Sequence, residues 1–75
     1  MNATTLAVLR AIRQLTAERH GQPPSLREIA KTVTVSLSAV DRHIQQLVKL
    51  GLVEHKPRIA RGIVLTASGK REAAK

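Results

Sequence analysis

Residues 23–50 read PPSLREIAKTVTVSLSAVDRHIQQLVKL, and the punctuation in this stretch decides the fold. Pro23 and Pro24 hold the chain extended up to Ser25. Ser25 and Glu28 then have the spacing of a capping box: the hydroxyl accepts from the Glu28 amide, and the carboxylate reaches back to the Ser25 amide. Leu26, Ile29, Ala30 and Val33 recur at helical spacing, which predicts a helix of about two turns. Ala30 is small where the next helix should cross closely. Thr34-Val35-Ser36 reads as the turn, with Ser36 the expected N-cap of the following helix and Ser38 the competing choice. Val40, Ile44, Leu47 and Val48 form the inward face of that helix. Leu37, Ser38, Asp41, Arg42, Gln45 and Lys49 lie mostly on the other side, and Gly51 stops it.

Working outward, Leu6, Leu9, Ile12 and Leu15 fall on one side of an earlier helix, predicted from about Thr4 to His20, with Val8 and Thr16 broadening that side. Gly21 is the expected left-handed cap. Beyond Gly51, Leu52–His55 and Gly62–Leu65 are strand candidates. Between them runs the basic segment Lys56-Pro57-Arg58-Ile59-Ala60-Arg61. Pro57 disfavours the middle of a sheet, so this segment reads as the loop of a hairpin with a basic tip. Residues 67–75 read as a basic tail or a short closing helix begun at Thr66 or Ser68. The expectation is one domain over 1–75 with its core in 4–66: mainly α, with a small β-hairpin.

Thirteen Lys and Arg against five Asp and Glu leave a net charge of +8 on 75 residues. Such an excess implies a polyanionic partner, with nucleic acid first and an anionic membrane second. A merely solubilising charge is the bland alternative. The chain has no Phe, Trp or Tyr and no Cys. Binders of single strands and RNA loops stack bases on aromatic rings, which this chain lacks. A duplex read through groove edges and phosphates needs none. The core must be aliphatic, and no thiolate metal site or disulfide is available. No apolar run is long enough to span a bilayer. Arg10 interrupts the early apolar run, which argues against a secretory signal. The acid-free first seventeen residues superficially resemble a transit peptide, but a first core helix is the simpler reading. His20, His43 and His55 lack metal-ligand spacing, so no metal is expected. His43 is expected in a partly buried notch. No nucleophile–base–acid set or phosphate-cradling glycine loop stands out, so neither enzymatic activity nor a cofactor is expected.

From about Leu6 to Leu65 the chain resembles the N-terminal DNA-binding domain of LexA-type repressors. The residues that carry the resemblance are Gly21-Gln22-Pro23-Pro24-Ser25, Arg27-Glu28-Ile29-Ala30, Val40, Arg42-His43-Ile44, Leu47, Gly51 and Arg61-Gly62-Ile63. The resemblance implies a winged helix-turn-helix: a three-helix core plus a two-stranded wing, with the third helix in the major groove and the wing on the backbone. Thr34 stands where the family commonly has glycine, and the turn before the third helix is one residue shorter than in many such domains. The self-cleaving C-terminal domain of the family and its serine–lysine dyad are not among these residues. The resemblance is therefore expected to carry fold and DNA binding, not autoproteolysis or its dimerisation element.

The candidate base-reading set is Ser36, Leu37, Ser38, Asp41, Arg42 and Gln45. Arg42 has the donors for guanine O6 and N7, and Gln45 matches adenine N6 and N7. Leu37 suits a thymine methyl or packs beneath the wing. Asp41 either accepts from cytosine N4, forms a local pair or keeps the helix off wrong sequences. Ser38 suits a phosphate or a base edge. The candidate backbone contacts are Arg27, Lys31 and Lys49, with Lys56, Arg58 and Arg61 on the wing. The expected partner is double-stranded DNA, bound as a transcriptional repressor in the prokaryotic cytoplasm at the nucleoid. A homodimer on an inverted repeat is the expected assembly, with the first helix and the tail as seam candidates. The alternatives are a protein-interaction or assembly module of the same fold, or a replication, partition or architectural DNA binder of a mobile element. A membrane-active peptide is the weakest alternative.

Overall fold

The computed structural model describes residues 1–56 and 61–75. The first helix, α1 (Ala3–Glu18), begins and ends earlier than its apolar spacing suggests. Asn2 opens it, its Oδ1 accepting from the Thr5 amide at 2.8 Å. At the other end the Gly21 amide donates to the Thr16 carbonyl at 2.9 Å and the His20 amide to the Ala17 carbonyl at 3.3 Å. This is a Schellman cap, and the residue in its left-handed position is His20, with φ 57°, one place before the expected Gly21. Gly21 is left-handed as well, with φ 93°.

The second helix, α2 (Leu26–Val33), carries both halves of the capping box. The Ser25 amide donates to Glu28 Oε1 at 3.0 Å, and the Glu28 amide to Ser25 Oγ at 3.2 Å. Thr34 turns the chain out of α2 in a left-handed conformation, with φ 60° and ψ 44°. Ser36, and not Ser38, caps the third helix, α3 (Leu37–Lys49), by accepting from the Ala39 amide at 3.2 Å. Gly51 ends α3 at φ 75°, while the Leu52 amide reaches back to the Leu47 carbonyl at 3.0 Å.

Two short strands follow, β1 (Val53–His55) and β2 (Ile63–Leu65), paired antiparallel with Val53 opposite Leu65 and His55 opposite Ile63. The closing segment is a fourth helix, α4 (Ala67–Ala74). Thr66 pins its start: Oγ1 accepts from the Gly69 amide at 3.0 Å and donates to the Gly51 carbonyl at 2.7 Å. The sequence is therefore that of a winged helix-turn-helix with a closing helix.

The core is aliphatic and centred on α1, which touches α2, α3, α4 and β2. Val8, Leu9, Ala11 and Ile12 meet Ile29 and Ala30 of α2, then Val40, Ile44 and Leu47 of α3. Leu52, Val53, Ile63 and Ala73 close the far side. Each fully buried Leu, Ile or Val contributes about 1.5–3 kcal/mol relative to exposure. Leu6 and Leu15 lie only at its edge. Val48, expected inside, is 41% exposed. At about 100° per residue it falls between the directions of Leu37 and Asp41, off the line of Val40 and Ile44.

Candidate nucleic-acid interface

Because α3 buries Val40, Ile44 and Leu47, its far side is set by the helical period. Ser38, Arg42, Gln45 and Lys49 fall within an arc of about 60°, and all four are exposed. Leu37 flanks this arc and is 43% exposed. Asp41 also flanks it and is part-buried, its Oδ2 accepting from Gln45 Nε2 at 3.1 Å. Ser36 sits at the start, its Oγ taken up as an acceptor by the cap, with its hydroxyl hydrogen still free to donate. Arg27 and Lys31, one turn apart on α2, are exposed, as is Lys56 at the end of β1. Among the described residues, the side chains of Arg27, Lys31, Arg42, Lys49 and Lys56 enter no ion pair. Arg58 lies outside the described residues.

Arg61, expected as a wing contact to the DNA backbone, is also held within the protein. Its guanidinium donates to Glu28 Oε1 at 2.7 Å and to the Pro23 carbonyl at 3.0 Å. The other oxygen of Glu28, Oε2, is buried and faces the guanidinium of Arg19. One carboxylate thus joins the end of α1, the cap of α2 and the base of the returning strand. The two arginines remain about a third exposed, so each pair contributes on the order of 1 kcal/mol after solvent screening.

The other flank of α3 rests on a polar group the sequence reading missed. Thr5 is fully buried in α1. Its Oγ1 lies 2.9 Å from Asn2 Oδ1, 2.9 Å from His43 Nδ1 and 3.3 Å from Gln46 Oε1. Asn2 Oδ1 already accepts from a backbone amide, so it is an acceptor here too, and the Thr5 hydroxyl donates to it. The hydroxyl oxygen is then left to accept from His43 Nδ1–H, which joins α1 to α3. The available signal was Asn2 standing three residues ahead of Thr5 at the head of an apolar run.

The chain therefore presents a short helix with a polar outward arc, flanked by cations from α2 and a β-hairpin. A family model described as the LexA DNA binding domain matches residues 3–62. The chain belongs to the LexA DNA-binding domain family. It is 42% identical over 62 residues to the LexA repressor of Cellvibrio japonicus, across 81% of this chain and 30% of that protein. It is 40% identical over 65 residues to the LexA repressor of Lactiplantibacillus plantarum, across 85% and 30%. Against LexA repressor 2 of Geobacter sulfurreducens the identity is 40% over 50 residues, across 65% and 25%. The chain thus spans well under half the length of these LexA relatives. The LexA match takes in α1, α2, α3 and β1, and stops at Gly62 before β2.

Proposed function

We propose that this chain binds double-stranded DNA in a sequence-specific manner and represses transcription at the sites it occupies. The observation that carries this reading is the outward arc of α3. Ser38, Arg42, Gln45 and Lys49 share one exposed face, with no apolar residue among them, and such a polar helix face suits the major groove. Arg42 donates to a guanine, and Gln45 pairs with an adenine. Ser38 and the free hydroxyl hydrogen of Ser36 meet the backbone or a base edge near the helix start. Leu37 lies against a thymine methyl. Arg27, Lys31, Lys49 and Lys56 neutralise phosphates on either side. Arg61 supports the wing from behind through Glu28, and its remaining N–H groups face the backbone.

A single module of this size has a small contact area, so we propose a homodimer on an inverted repeat. α4 packs on α1, and the seam is proposed at these two helices. Among the described residues no helix is long and apolar enough to cross a membrane, and the nucleoid is the proposed location.

The test is the anisotropy of labelled duplex DNA across a salt series. With about six phosphates neutralised per protomer, the log–log slope should lie near −5. A slope near zero, or equal affinity for selected and scrambled duplexes, sinks the reading.

A further inference from the structure

The Asp41–Gln45 contact decides which base α3 is able to read, an inference that rests on the DNA-reading function proposed above. Gln45 taken alone is ambiguous. Its amide holds two N–H donors on Nε2 and an acceptor at Oε1. One donor beside one acceptor fits adenine, whose N7 accepts and whose N6 donates. Both donors together fit guanine, whose O6 and N7 only accept.

The structure removes that ambiguity. Gln45 Nε2 lies 3.1 Å from Asp41 Oδ2. An ionised carboxylate has no hydrogen to give, so the amide must face it with nitrogen. Turned over, the amide would set Oε1 against Oδ2, two acceptors without a proton between them. One N–H is thus committed to Asp41. What Gln45 still offers outward is one N–H and one carbonyl oxygen, the complement of adenine. The two-donor grip on guanine is no longer available. Asp41 is part-buried and Gln45 is exposed, and the contact between them lies at the surface. The contact strengthens once bound DNA excludes water from it.

We propose that Asp41 is a positioning residue that commits Gln45 to adenine and against guanine, and that Asp41 reads no base itself. Removing the carboxylate also removes a negative charge, which raises affinity for every duplex alike. The diagnostic quantity is therefore the ratio of affinities for paired duplexes that differ by one A-to-G change.

The experiment begins with a duplex selected by the whole chain from random DNA. Each A·T pair of that site is then changed to G·C in turn. Dissociation constants are measured for the unaltered chain, Asp41→Ala, Asp41→Glu, Gln45→Ala and the double variant, with circular dichroism confirming equal helix content. The unaltered chain should show one position where the change weakens binding roughly 5- to 150-fold, the range of a bidentate base contact. Gln45→Ala should abolish that ratio. Asp41→Ala should lower it several-fold at that position only, Asp41→Glu should restore it, and the double variant should match Gln45→Ala. An unchanged ratio in Asp41→Ala, with all affinities rising together, leaves Asp41 a mere charge and overturns the proposal. So does a C·G preference lost in Asp41→Ala but kept in Gln45→Ala, since Asp41 would then read cytosine. If no position depends on Gln45 while the site is still discriminated, α3 reads without Gln45 and the proposal falls alone. Equal binding of selected and scrambled duplexes by the unaltered chain removes the DNA-reading function beneath it.

Discussion

Thr34 stands at φ 60° and ψ 44°, a left-handed conformation that crowds its β-carbon against the following carbonyl. The side chain is exposed and makes no hydrogen bond among the described residues, so no side-chain hydrogen bond offsets that strain. Thr34→Gly is therefore expected to raise stability by about 1 kcal/mol, the relieved strain less the added freedom of the unfolded chain. A thermal melt followed by far-ultraviolet dichroism should show the midpoint rise by about 4–8 °C. Gly69 presents the opposite case. Inside an exposed helix, glycine to alanine gains about 1 kcal/mol. Here the added methyl would run into the backbone carbonyl oxygen of Leu52, which has no rotamer by which to yield. Gly69→Ala is expected to destabilise by about 1–3 kcal/mol and to lift the start of α4 from the strand. A melt showing stabilisation would mean that α4 is not seated as described. The oddity at Thr34 was legible in the sequence, because a β-branched residue stood where the family pattern has glycine. The constraint at Gly69 was not, because it depends on a backbone atom seventeen residues away that only the folded chain brings near.

Helix ends were the most legible feature at the scale of elements, since a cap is made by residues three or four apart. The capping box of α2 and the glycine stop of α3 were read directly, and the contest between Ser36 and Ser38 resolves to Ser36. That resolution separates two substitutions. Ser36→Ala removes the acceptor for the Ala39 amide and should cost about 1 kcal/mol of stability. Ser38→Ala removes no cap and should change stability by less than about 0.5 kcal/mol, while lowering affinity for DNA if Ser38 meets a phosphate or base. Urea titrations of both variants, with binding measured in parallel, check the pair. Equal losses of stability would place the cap elsewhere. The misjudged faces have a physical cause as well. Leu6, Leu15 and Val48 are apolar residues at the edges of their stripes, where spacing alone does not say how far the neighbouring element reaches. The Thr5–His43 contact joins residues 38 apart and has no local signature.

Over the whole molecule, the basic excess divides into cations with different work. Lys56 is exposed and enters no ion pair among the described residues, whereas Arg61 is tied to Glu28 and the Pro23 carbonyl. Lys56→Ala should weaken binding to all duplexes alike and reduce the magnitude of the salt slope by about 1, with stability unchanged. Arg61→Ala should lower stability in the absence of DNA by on the order of 1 kcal/mol. If Arg61→Ala leaves the melt unchanged, its pair with Glu28 is only a surface contact. Charge totals pointed to the basic segment between the strands. They did not distinguish these two residues, because the carboxylate that claims Arg61 lies 33 positions earlier in the chain.

The same carboxylate has a kinetic consequence. A hairpin of three-residue strands is marginal by itself and should open locally many times for each global unfolding. Through Arg61, at the loop end of β2, Glu28 ties this hairpin to the α2 cap and to the end of α1, so opening it there breaks contacts in two other elements. The Lys56 amide, bonded to the Gly62 carbonyl at 3.1 Å, should therefore exchange its hydrogen with solvent nearly as slowly as the core amides of α2. In Glu28→Gln it should exchange markedly faster, while the Thr66 amide, held on the far side by the Leu52 carbonyl at 3.0 Å, keeps its protection. The wing would then be a separate opening unit, no longer part of the cooperative unit formed by the helices.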